Sequence, residues 1–128
     1  MRWYLDTSAA LKLLLEEEET TAMVAAVEEG EAELAGSVLL ETELRRAAWR
    51  HEALQQSAVT ALLEGIALFD MPASLFTQAG LLGGANLRSL DALHLASAIR
   101  CAATHIVTYD KRMVDAAQAL GLPVLSPG

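Results

Sequence analysis

The chain has 128 residues, 53% of them hydrophobic and 20% charged, which suits one globular domain and excludes a disordered tail. Its net charge of −8 argues against affinity built on general attraction to phosphates, although bound divalent cations would invert the local field at an acidic site. The single cysteine, Cys101, cannot form an internal disulfide, Asp6 interrupts any apolar signal core, and no apolar run approaches the ~20 residues that span a bilayer; a soluble cytoplasmic protein without membrane association is expected.

Trp3-Tyr4-Leu5 is a short aromatic and apolar run with strand character, stopped by Asp6-Thr7-Ser8. Ser8, or alternatively Thr7, is expected to cap a helix from Ala9 to Leu15. Asp6 then stands at the carboxyl end of the first strand, the edge where open α/β sheets bind ligands. Glu16 to Glu19 predict a solvated surface, because adjacent residues diverge and do not cage an ion. A helix capped by Thr20 or Thr21 turns Ala22, Met23, Ala26 and Val27 inward and ends near Gly30.

Glu33-Leu34-Ala35-Gly36 is a second strand candidate, and Ser37 caps a helix from Val38 to Trp49 on which Leu40, Leu44 and Ala47 share a face. On that helix Glu41 and Glu43 lie about 200° apart, so both cannot point into one site. Glu43 borders the apolar stripe more closely and is preferred; an ordinary ion pair with Arg46 at i+3 is its alternative use.

His51 to Leu63 predicts a further helix, stopped by Gly65, and Ile66 to Met71 a strand ending at Pro72. Ala73 to Leu82 predicts a short helix that runs into Gly83-Gly84-Ala85-Asn86. These glycines follow no strand and form no G-x-G-x-x-G, and no P-loop motif occurs, so a nucleotide loop is not expected. Ser89 is placed at the N-cap of a helix running to Ala102, with Asp91 in its first turn near the positive end of the dipole. His105 to Asp110 is the clearest strand, Lys111 to Leu120 a helix closed by Gly121, and Leu122 to Leu125 a last strand whose Pro123 points to a sheet edge. The alternation predicts a three-layer α/β/α sandwich with a central, mainly parallel sheet of four to five short strands. With no linker or repeat, residues 1–128 read as a single domain.

Asp6 and Asp110 follow strand ends, Asp91 opens the helix that leads into the Asp110 strand, and Glu43 lies near the start of another helix. Parallel strands have their carboxyl ends on one edge, so acids distant in sequence can converge there. Hard oxygen donors select Mg²⁺ or Mn²⁺, and no histidine pair or cysteine cluster supports zinc. Clustered carboxylates repel one another without cations; with them they can activate water and stabilise an in-line displacement at phosphorus. Lys12, Arg45, Arg46, Arg50, Arg88, Lys111 and Arg112, seven of the nine basic residues, lie a few positions from these acids.

Tyr4-Leu5-Asp6-Thr7-Ser8-Ala9, Ser37-x5-Glu43-Leu44-x-Arg46, Leu90-Asp91-Ala92-Leu93-His94-Leu95-Ala96 and Val107-Thr108-Tyr109-Asp110-Lys111-Arg112-Met113 occur in order, followed by Gly121-Leu122-x-Val124. In order and spacing they resemble the PIN-domain ribonucleases, most closely the VapC-type toxins of bacterial toxin–antitoxin pairs. The resemblance spans nearly the whole chain. It implies a PIN-like fold and an endoribonuclease dependent on Mg²⁺, with Mn²⁺ as a substitute, in which metal-activated water attacks the phosphodiester. Asp6 and Asp91 would ligate the main Mg²⁺, Glu43 and Asp110 would complete a catalytic quartet, and Thr108 and Ser8 would be supporting hydroxyls. Glu41 competes with Glu43, and Asp115 competes as an outer fourth acid. Arg46, Arg88, Lys111 and Arg112 are candidate substrate contacts, and His94 would pack or orient its helix. The implied partners are an RNA substrate, a cognate antitoxin that blocks the acidic groove, and a second copy in a homodimer. The alternative is a catalytically silent PIN fold that only engages an antitoxin or RNA. A haloacid-dehalogenase-type phosphatase fits poorly, because it needs a second Asp where this chain has Ser8.

Overall fold

The computed structural model describes residues 1–84 and 86–128; Ala85, in the loop expected at 83–86, lies outside them. Strand β1 (Arg2–Leu5) sets the layering, because its alternating side chains send Trp3 and Leu5 to one face and Tyr4 to the other, all of them buried. Strand β2 (Glu33–Ser37) lies on one side of it and the strand His105–Val107 on the other, both parallel to it. With Ala67–Phe69 as β3, His105–Val107 as β4 and Val124–Leu125 as β5, the five strands run in the order β3-β2-β1-β4-β5, every pair parallel.

The face carrying Trp3, Leu5 and Val107 is covered by helices α1 (Thr7–Lys12), α2 (Thr20–Gly30), α3 (Val38–Arg50) and α4 (Gln56–Glu64). Their buried contributions include Ala9, Ala10, Met23, Leu40, Leu44, Ala47, Val59 and Leu63. On the opposite face, Tyr4 and Ile106 pack against Leu95 and Ala98 of the helix Ser89–Arg100 and against Met113 and Ala117 of the helix Lys111–Ala119. The helix Ala73–Gly80 (α5) lies outside the first of these, which is α6, with Leu75 and Ala79 against its Ala92 and Ala96; the helix Lys111–Ala119 is α7. The result is the three-layer α/β/α sandwich. Among the described residues no helix is long and apolar enough to cross a membrane.

The sheet grows from β1 to β2 to β3 in one direction and through β4 to β5 in the other. The reversal falls between β1 and β4, and a crevice outside the strand carboxyl ends belongs at such a switch point. Pairing of Leu5 with Val107 makes Asp6 and Thr108 emerge side by side, and the Asp6 N–H donates to the Val107 carbonyl at 3.3 Å.

Several element ends differ from the sequence expectation. Thr7 and Ser8 are already helical, and Asp6 itself caps α1. That helix ends at Lys12, not Leu15, where Lys12 turns to Glu17 and Glu19 of the acidic run at 3.3 and 2.8 Å. Thr20 starts α2 without capping it; its hydroxyl donates to the Leu15 carbonyl at 2.7 Å and accepts the Glu17 N–H at 2.9 Å. Residues 51–55 turn before α4 begins at Gln56. Ser89 is the first residue of α6; Arg88 holds the cap position, and its carbonyl accepts the Ala92 N–H at 2.9 Å. Ser37 does precede α3, but its buried hydroxyl makes no cap bond.

Helix α3 is anchored by Leu40, Leu44 and Ala47, all fully buried. Leu44→Ala is expected to cost about 2–5 kcal/mol in chemical denaturation, the usual range for emptying a packed leucine site.

Candidate active site

Asp6 leaves the central strand at the switch point and is buried. Its Oδ1 accepts the Ala9 N–H at 3.0 Å and the Ser8 hydroxyl at 2.7 Å, while Oδ2 accepts the Thr108 hydroxyl at 2.5 Å. The cap explains the turn: an aspartate before the first helical residue satisfies an N–H that the helix leaves free. Burial pushes the Asp6 carboxyl up, against the Ser8, Thr108 and Ala9 hydrogen bonds that favour its ionised form.

The two hydroxyls also tie Asp6 to the segment after β4. Ser8 Oγ accepts the Tyr109 N–H at 2.9 Å and lies 3.4 Å from Thr108 Oγ1, which accepts the Asp110 N–H at 3.1 Å. Asp110 caps α7 in turn, its Oδ1 accepting the Arg112 N–H at 2.9 Å. Residues remote in sequence are thereby joined by the same few oxygens.

Asp91 sits in the first turn of α6, and its Oδ2 is buried with no hydrogen-bond partner among the described residues. Burial pushes its carboxyl up and the nearby charge of Asp110 pushes it further, against Arg112 and His94. Glu43, on α3, accepts the Thr7 hydroxyl at 2.7 Å and a hydrogen bond from His94 Nε2 at 2.6 Å, both on Oε1. Burial would raise its carboxyl, but the hydrogen bonds from His94 and Thr7 outweigh it and hold the carboxyl below its usual range. Glu41 instead faces solvent and pairs with Arg45 at 2.9 Å.

His94 is buried, with Nδ1 2.7 Å from the Tyr4 hydroxyl and Nε2 2.6 Å from Glu43 Oε1. The structure therefore joins Glu43 to the imidazole directly, and Asp91 lies near enough to Asp110 to feel its charge. Arg46, Arg88, Lys111 and Arg112 are exposed, and Arg46 forms no ion pair with Glu43 among the described residues. Asp115 lies on the solvent side of α7, 3.6 Å from Lys111.

Sequence reading assigned no site role to Thr7 or Tyr4 and had His94 packing or orienting its helix. The i, i+3 spacing of Asp91 and His94 did signal a shared side of the helix. Thr7 and Tyr4 carried no such signal, because they meet Glu43 and His94 on elements remote in sequence.

Among the described residues no three His, Cys, Asp or Glu side chains close around a single point. The donor set nonetheless fits a hard cation that keeps much of its water and takes one or two carboxylates. Asp91 Oδ2 is an unpartnered buried oxygen, and Asp6 and Asp91 are both held above their ordinary range by burial. A cation would relieve both costs.

The family model for the PIN domain matches residues 3–119. Ribonuclease VapC47 of Mycobacterium tuberculosis is 37% identical over 131 residues, covering 98% of this chain and 96% of that protein. Ribonuclease VapC35 of the same organism is 37% identical over 130 residues, with the same coverage of 98% and 96%. Among solved structures, VapBC2 from Rickettsia felis, bound to a DNA fragment from its promoter, aligns with a TM-score of 0.79 at 17% identity over 100% of both chains. Mycobacterium tuberculosis VapC20, a toxin that cleaves the sarcin–ricin loop, aligns with a TM-score of 0.76 at 16% identity over 98% of this chain and 99% of that one. The motifs read from the sequence, the three-layer fold and the extent of these matches agree: the chain belongs to the PIN-domain family, among its VapC-type ribonucleases.

Proposed function

We propose that this chain, acting as one PIN domain over residues 1–128, is an endoribonuclease dependent on Mg²⁺, with Mn²⁺ as a substitute, that hydrolyses RNA phosphodiesters. It works in the cytoplasm as the toxin of a toxin–antitoxin pair. The observation that carries the reading is Asp91 Oδ2, a carboxylate oxygen buried without a partner among the described residues and near a second acid, on a family scaffold whose relatives are named ribonucleases. An arrangement costly to the metal-free protein is what a cation site leaves behind.

Asp6 and Asp91 would hold the cation, and the chemistry it would supply is charge neutralisation at the scissile phosphate and a more acidic water. Ser8 and Thr108 fix the Asp6 carboxylate from both of its oxygens, so it needs no reorganisation on binding. Glu43 is kept ionised, and its Oε2, which receives no hydrogen bond among the described residues, can take the proton of the attacking water. Asp110 stands next to Asp91 and shares the burden of negative charge. Arg46, Arg88, Lys111 and Arg112 hold the RNA backbone, a local basic rim that a chain of net charge −8 requires. A cognate antitoxin blocks this groove, with an arginine suited to the exposed carboxylate oxygens. The active form is a homodimer.

Purified, antitoxin-free protein is expected to cleave structured RNA in Mg²⁺ or Mn²⁺ and to stop in EDTA. Asp6→Asn and Asp91→Asn should each lower the rate by on the order of 10²-fold or more with unchanged circular dichroism. Undiminished cleavage by Asp91→Asn would remove it from the metal site. Absence of cleavage on any RNA, together with normal growth on expression, would favour the silent binding fold.

The raised aspartates also predict a pH dependence. An acid whose folded pKa lies above its unfolded value costs stability as pH rises through that interval, since the unfolded state gives up its proton first. Metal-free protein should therefore gain a few degrees in Tm from Asp91→Asn. The Tm rise caused by Mg²⁺ in the wild type should be larger at neutral pH than at about pH 5, by differential scanning fluorimetry. A Tm rise equal at both pH values would contradict the assignment.

A further inference from the structure

A line of hydrogen bonds runs from the core to the site. The Tyr4 phenol is 2.7 Å from His94 Nδ1, and His94 Nε2 is 2.6 Å from Glu43 Oε1. Its members lie on three elements: Tyr4 on β1, His94 on α6 and Glu43 on α3. Glu43 Oε1, a carboxylate oxygen, can only accept, so the ring proton sits on Nε2; in the neutral imidazole Nδ1 is then the acceptor and the Tyr4 hydroxyl the donor. The Tyr4 ring stands edge-on to the imidazole, 5.7 Å between centroids at 69°, and holds the ring plane from the side.

The hydrogen bonds to Glu43 from His94 and from Thr7 both fall on Oε1. One oxygen is tethered, and the other receives no hydrogen bond among the described residues. Without the imidazole, a glutamate with three rotatable bonds would keep only the Thr7 hydroxyl, on a helix anchored by its apolar side.

We infer that His94 is a positioning residue: it carries the orientation of Tyr4 in the core to Glu43, so that α6, which bears Asp91, also sets the acid on α3. The inference rests on the reading above in which Glu43 serves RNA cleavage. His94 touches no substrate in this role. It acts through Glu43 alone.

The test is a double-mutant cycle on single-turnover RNA cleavage, with His94→Leu and Glu43→Gln alone and combined. His94→Leu should lower kcat about 10-fold or more, in the range typical of groups that orient a metal-site carboxylate, with KM changed by less than about 2-fold. His94→Gln, which keeps an N–H near the place of Nε2, should recover most of that loss. In the Glu43→Gln background His94→Leu should cost little more. In metal-free wild type, long-range proton–nitrogen spectra of the imidazole should show a proton on Nε2. If His94→Leu fails to fold, Tyr4→Phe takes its place in the cycle, with a smaller loss that again vanishes in Glu43→Gln. Equal losses in both backgrounds, or a ring protonated only at Nδ1, would overturn the tether while leaving the nuclease reading intact. Full activity of Glu43→Gln would overturn that reading of Glu43 and the tether with it.

Discussion

The burial of the Asp6 carboxylate at the carboxyl end of the central strand is the constraint on which the site depends. A charged group taken out of water must be met by donors, and here they come from three directions: the first turn of α1, the Ser8 hydroxyl and the Thr108 hydroxyl. Meeting that demand draws β1 and β4 into register beyond their last paired residues. Thr108 then presents its oxygen to the Asp110 N–H, and Ser8 does the same for Tyr109. The acidic edge is thus built outward from one aspartate.

Two kinds of acid result. Asp6 and Asp91 are raised by burial, Asp6 in spite of the three donors that meet it and Asp91 further by the charge of Asp110. Glu43 is lowered, because hydrogen bonds from His94 and Thr7 more than offset burial. The contrast separates two carboxylates that burial pushes towards the neutral form from a third that its hydrogen bonds keep ionised. The helix faces follow the same division. Each site residue lies at the edge of an element whose other side is locked into the core, Glu43 beside Leu40 and Leu44, Asp91 beside Ala92 and Leu95.

Where sequence reading erred, the cause was mostly local competition for hydrogen bonds. Ser8 and Ser89 are good capping residues, but Asp6 reaches the free N–H of α1 first, and Ser89 is drawn into the first turn of α6. Thr20 spends its hydroxyl on the preceding loop instead of the helix. His94 was underestimated for a different reason. A histidine on a semi-apolar helix face looks like packing until its two nitrogens are seen to meet Tyr4 and Glu43 from other elements.

The amino-acid sequence by itself determined the alternation of strands and helices, the parallel sheet that this alternation demands, and the placing of acids at strand ends and helix starts. These are consequences of period, capping chemistry and short-range order, and a linear chain carries them. Motif order was enough to name the family. Only the tertiary structure decided that Glu43 and not Glu41 meets the imidazole, that Asp91 keeps an unpartnered buried oxygen, and that the Tyr4–His94–Glu43 line crosses three elements. Those outcomes depend on desolvation and on angstrom-scale distances between residues as many as ninety positions apart. Neither quantity exists until the sheet has closed and the helices have settled on its two faces.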